Sequence, residues 1–238
     1  MIKESIFNRY LVALLDGDRA ASRAVIEETL QNGIPANSVC IDLIYPIMME
    51  IEHLMRSDKI TPVQEHLATR INRTIVDQLQ NKLPRRPSNN KKIAICCAPE
   101  EIQELAAQMT ADLFESSGWQ VRFPGGGLTN DDILAFINQY APDILLIYGT
   151  APKQAPLVRR LIDTIKEVSA WPNMRIMLSG GLFNRAEGLW EEMGADLFAD
   201  TPISAVMSAE SDTPVGNREG RKINRRAKKR KNVKEFVA

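Results

Sequence analysis

The chain of 238 residues holds 44% hydrophobic and 25% charged side chains, ordinary values for a globular protein long enough to bury a core. No apolar run approaches the roughly 20 residues that cross a bilayer, and the opening "MIKESIFNRYLVALL" lacks a small-residue cleavage site, so a soluble, cytoplasmic protein is expected. The formal net charge of zero divides unevenly: from Arg218 onward ten Lys+Arg face two Asp+Glu, leaving 20 against 28 before it, an acidic globule with a basic tail.

Residues 1–83 read as helices only. "IFNRYLVALL" stops at "DGD", where Asp18 is placed to cap a second helix over residues 19–30. That helix ends at "NGIP", with Gly33 turning and Pro35 forbidding continuation. "SVCIDLIYPIMMEIEHLM" predicts one apolar helix bent near Pro46, and "TPVQEHLATRINRTIVDQLQNKL" a long one with Thr61 as cap and Pro62 at its first position. Four helices with short connections predict an antiparallel bundle. The stretch at 84–91, within "PRRPSNNKK", buries little and reads as a linker.

The period then changes. Strands are expected at "KIAICCA", "WQVRF", "DILLIY", "RIMLS" and "DLFA", and helices at "IQELAAQMTADLFESS", "NDDILAFINQY", "APLVRRLIDTIKEV" and "RAEGLWEEM", with "PISAVMSA" closing the series. Repeated strand–helix units over 92–208 predict a flavodoxin-like, Rossmann-like sheet of five parallel strands. Such sheets bind ligands beyond the carboxyl ends of their strands. That rim carries residues 98–103, the three glycines Gly125, Gly126 and Gly127, then Tyr148 and Thr150, then Gly180 and Gly181. The triple glycine is open to two readings, a flexible turn or a surface for a flat ligand. Gly180-Gly181, straight after an apolar strand, points to room for a ligand edge.

Little here points to an enzyme. The α/β part has no histidine, and both histidines, His53 and His66, lie among the helices. The nucleophile elbow, the phosphate loop and the metalloprotease histidine pair are absent. Cys40, Cys96 and Cys97 fit no disulfide framework or metal spacing. Met48, Met49 and Met55 read as core fillers.

"DGDRAASRAVIEETLQNGI", "IYPIMMEIEHLM", "ITPVQEHLATRI" and "EEIQELAAQMTADLFESSGWQVRFPGG", in this order over residues 1–208, resemble the cobalamin-binding module of methionine synthase, of corrinoid methyltransfer proteins and of light- or B12-dependent regulators. The resemblance implies a helical module capping the upper corrinoid face, with a Glu-His pair at Glu65 and His66. The acid, histidine and glycine of the lower-ligand motif fall on Glu101, Gln103 and Ala106. A carboxamide is a poor substitute for imidazole on a transition metal. Tyr148 stands at the serine of the third-loop motif and Thr150 at a leucine, while Met55 and Arg56 stand at the upper-face tryptophan and the position after it. Gln103, Ala106, Tyr148 and Met55 each remove or obstruct a cobalamin contact, whereas Gly180-Gly181 is retained.

The expected function is therefore a non-catalytic sensor or regulatory protein on a B12-type scaffold, holding a tetrapyrrole-like ligand or a protein partner between its domains. Cobalamin, haem or bilin are candidate cofactors, as is none, and His66 is the candidate axial metal ligand. The alternatives are a cobalamin carrier or transcriptional regulator that keeps the cofactor's own base on cobalt, and an interaction protein with no ligand. A homo-oligomer is also open. The basic stretch between Arg218 and Lys234 suits nonspecific nucleic-acid contact or an acidic partner.

Overall fold

The structure is a computed structural model describing residues 2–101 and 103–211. The basic tail lies outside the described residues. Two compact units divide the chain, one through Pro84 and one from Arg85.

The first unit is a helical bundle: α1 (Glu4–Leu15), α2 (Arg19–Gln31), α3 (Ala36–Val39) running through a π-helical turn (Cys40–Ile44) into α4 (Tyr45–Arg56), and α5 (Pro62–Gln80). Asp18 caps α2 by accepting from the amides of Ala20 and Ala21. Thr61 and Gln64 form a reciprocal capping box on α5, with Pro62 at the start, where its missing N–H costs nothing. The bend expected near Pro46 is the π turn just before it. Proline has no N–H to give and its ring crowds the carbonyl four residues back. Widening the turn relieves this, and the Tyr45 amide donates to the Cys40 carbonyl, five residues back. Tyr10, Leu14, Leu43, Ile44, Ile47 and Ile75 are fully buried between the helices, each contributing about 1.5–3 kcal/mol for an aliphatic side chain. Met48, Met49 and Met55 are only half-buried, so the core-filler expectation is corrected: Ile47 and Ile51 face the core instead.

The second unit is a sheet of five parallel strands in the order β2-β1-β3-β4-β5, formed by β1 (Lys92–Cys97), β2 (Gln120–Gly125), β3 (Ile144–Tyr148), β4 (Arg175–Ser179) and β5 (Leu197–Ala199). Its helices are α6 (Leu105–Ser116), α7 (Asn130–Tyr140), α8 (Ala155–Val168), the short α9 (Gly181–Arg185) and α10 (Leu189–Glu192), and α11 (Pro202–Glu210). Apart from Lys92 and Arg175 at their starts, β1, β3 and β4 are buried along their length, because helices cover both faces. At the sheet edge β2 alternates exposed with partly buried positions. Strand alternation sends Cys96 into the layer of α7 and α8 and Cys97 to the opposite face; both are buried and neither forms a disulfide.

Two segments differ from expectation. α6 starts at Leu105, not 102, because Glu100 adopts a left-handed φ of 63° and Glu101 folds its side chain back on the Gln103 amide. "RAEGLWEEM" is not one helix: α9 begins at Gly181, and Gly188, at φ 82°, separates it from α10. The stretch read as a linker is exposed from 84 to 90 and bonds to the α6–β2 turn, with the Arg86 amide on the Ser116 carbonyl and the Asn89 amide on Gly118.

Candidate functional site

The sheet order reverses between β1 and β3, since β1 pairs with β2 on one side and β3 on the other. Crevices at this point, beyond the carboxyl ends of the strands, are where open α/β sheets hold ligands. Here the loops at those strand ends include residues 98–101, 103–104, 125–127, 149–154 and 180–182.

Glu101 is the hub of these loops. The side chain is 3% exposed yet carries a carboxylate. Its Oε1 accepts from the Gln103 amide at 2.8 Å. Oε2 accepts from the Thr150 amide at 2.8 Å, the Thr150 hydroxyl at 2.6 Å and the Gln154 side-chain amide at 3.0 Å. Gln154, 1% exposed, turns its own Oε1 to the amides of Thr150 and Ala151, both at 3.0 Å. A buried carboxylate stripped of such donors would be costly, so these bonds hold the loops after β1 and β3 together.

The remaining loops join the same frame. The Gly126 amide donates to Glu104 Oε1 at 2.6 Å, and a Cβ at Gly126 would fall 2.5 Å from the Glu101 carbonyl oxygen. Gly180, at φ 103°, lies against Gly149, where a Cβ would fall 2.4 Å from the carbonyl oxygen. That carbonyl accepts from the Leu182 amide, and Arg185 donates to the Thr150 carbonyl. The close approach that Gly126 and Gly180 permit is thus used by the chain's own backbone. Gly127 differs, with nothing within 4 Å of a built Cβ.

Tyr148 ends β3 at 5% exposure, paired in register with Cys97 and Ser179, and Ala106 is buried in the first turn of α6. Gln103 is exposed. Within the helical unit, Glu65 accepts from the Thr69 hydroxyl at 3.0 Å and stands 3.6 Å from His66 Nε2, whose side chain is 71% exposed. Met55 lies in the last turn of α4 beside exposed Arg56, which pairs with Glu52 at 3.4 Å. The site residues therefore fall into two sets. Glu101, Gln103, Gly126, Thr150 and Gly180 lie on the joined loops of the sheet unit, while Met55, Glu65 and His66 belong to the other unit. Among the described residues no group of three or more His, Cys, Asp or Glu side chains is placed to hold a metal.

Sequence reasoning missed Gln154 and Glu104. For Gln154 a signal exists: in "APKQ" a proline at the first position of a turn precedes a glutamine at the third, which can reach back to the opening amide, although Ala151 has no side-chain acceptor to complete a capping box. Glu104 has no local signal, because its partner lies 22 residues on.

Residues 6–80 match one family described as B12 binding domain, and residues 91–206 match a second of the same description. This is a B12-binding-domain protein. Its fold is similar to that of the Methanosarcina barkeri monomethylamine corrinoid protein, at a TM-score of 0.76 and 18% identity, over 87% of this chain and 98% of that one. Weaker likenesses are a cobalamin-binding protein from Desulfitobacterium hafniense (TM-score 0.48, 18% identity, 86% and 97% covered) and the methanol:cobalamin methyltransferase complex MtaBC of Methanosarcina barkeri (0.46, 11%, 88% and 82%). No curated protein matches by sequence. This B12-binding-domain protein thus shares its fold with a corrinoid protein. Its α/β unit contains no imidazole, and its buried acid is occupied by the protein's own donors. The donor set does not fit a corrinoid whose cobalt is ligated from that unit.

Proposed function

We propose that the protein is a non-catalytic corrinoid-binding protein, a carrier or regulator, that holds cobalamin with the cofactor's own base, rather than a protein imidazole, at the lower cobalt position. The reading is supported by one combination: B12-binding-domain matches in both units, and Gln103 at the position to which the resemblance assigns the lower-ligand histidine. Purified protein mixed with hydroxocobalamin and desalted is expected to retain about one equivalent, with the spectrum of the base-on cofactor. A spectrum of protein imidazole on cobalt would overturn the reading, as would complete loss of cofactor on desalting.

A second reading draws support from Tyr148, buried at the carboxyl end of β3 at the reversal point of the sheet. On it the scaffold serves a sensor or regulator that takes another flat tetrapyrrole or a protein partner. Haem titration is then expected to give a Soret shift that disappears in His66→Ala, and an unshifted Soret band would count against haem as the ligand.

A further inference from the structure

We propose that Glu101, Thr150 and Gln154 form a clasp that shuts the loop after β1 onto the loop after β3 before any ligand binds. We infer that this clasp, rather than the absence of histidine alone, keeps side chains of the α/β unit off the cobalt of a bound corrinoid. The second half rests on the reading given under the proposed function; the first does not. A carboxylate offers about four lone-pair directions, and Glu101 meets four donors: the Gln103 amide on Oε1, and the Thr150 amide, the Thr150 hydroxyl and the Gln154 side chain on Oε2. Gln154 cannot turn away cheaply, because its carbonyl oxygen holds the Thr150 and Ala151 amides. A metal-bound histidine needs an acceptor for its second ring nitrogen, which fixes tautomer and orientation. With Glu101 occupied, an imidazole placed at the exposed position 103 finds no such acceptor there.

Two arms test this. The first uses apo protein and follows hydrogen exchange at the Gln103 and Thr150 amides. Slow exchange is expected in the parent, and exchange faster by about tenfold or more in Glu101→Gln and Gln154→Ala. Rapid exchange of the Thr150 amide in the parent would overturn the clasp even if neither variant folds, and unchanged rates in folded variants would overturn it too. The second arm loads cobinamide, which lacks the nucleotide base, reduces it to Co(II), and reads nitrogen splitting in the electron paramagnetic resonance spectrum. Gln103→His alone is expected to add no nitrogen signal over the parent, while Gln103→His combined with Gln154→Ala gains it. A gain in the single variant, or none in the double variant once its loop exchange is released, would overturn the exclusion. Failure of every form to retain cobinamide or hydroxocobalamin would sink the corrinoid reading, leaving the exchange arm to decide the clasp by itself.

Discussion

The Cys96 thiol, fully buried on β1, is pushed up to about 12 by burial, and burial likewise raises the Tyr10 phenol inside the bundle. Both are acids kept neutral in the folded state. Their contribution to stability is fully present below the ordinary ranges, about 8.5 for a thiol and about 10 for a phenol, and is lost as pH rises beyond them. Each adds a slope approaching about 1.4 kcal/mol per pH unit. Urea unfolding between pH 8 and 11 is expected to show this decline, and Cys96→Ala to flatten it from about 8.5 upward; an unaltered slope would count against the assignment. Gly180→Ala is expected to cost more than the about 1–3 kcal/mol of a left-handed backbone alone, because the new methyl also meets the Gly149 carbonyl at 2.4 Å. A melting temperature within a degree or two of the parent would refute that. At this scale the sequence was readable where a residue's role depends on near neighbours, as for Asp18 and Thr61. It was opaque for Glu101, whose partners Thr150 and Gln154 lie 49 and 53 residues away.

Among elements, continuous apolar runs named β1, β3 and β4 because both faces are covered, and β2 was found by its alternation at the edge. Periodicity failed where backbone geometry overrides it, at the left-handed Glu100 that delays α6 and at Gly188 that divides α9 from α10. The long α5 draws much of its local order from its start. Thr61→Ala removes the acceptor for the Gln64 amide and is expected to destabilise the helical unit by about 1 kcal/mol, measured by chemical denaturation. Thr61→Ser, which keeps the hydroxyl, is expected to recover most of it; equal losses in both variants would remove the cap from the account.

For the whole molecule, the chain before Arg218 carries 20 Lys+Arg against 28 Asp+Glu, so contact with a polyanion is expected only through the basic stretch. Fluorescence anisotropy on two unrelated duplexes is expected to show weak, sequence-independent binding whose logarithm falls with log salt at a slope of roughly 6–9. Deleting residues 218–238 is expected to abolish it. Equal binding without those residues would reject the stretch as the contact, and no binding by the full chain would favour an acidic protein partner. No helix among the described residues is long and apolar enough to cross a membrane.

The order of the strands also sets a timetable for synthesis. The contacts that α1, α2, α4 and α5 make with one another all lie within the first 80 residues, so these helices can pack while the rest of the chain is still on the ribosome. β1, by contrast, is made first among the strands but sits inside the sheet, and one of its edges waits for β3, whose first residue, Ile144, pairs with Ile93. At about 5–20 residues per second that edge stays open for a few seconds. During that interval an apolar strand with unpaired amides is exposed, so the nascent α/β unit is the stage at which a chaperone would have most to shield.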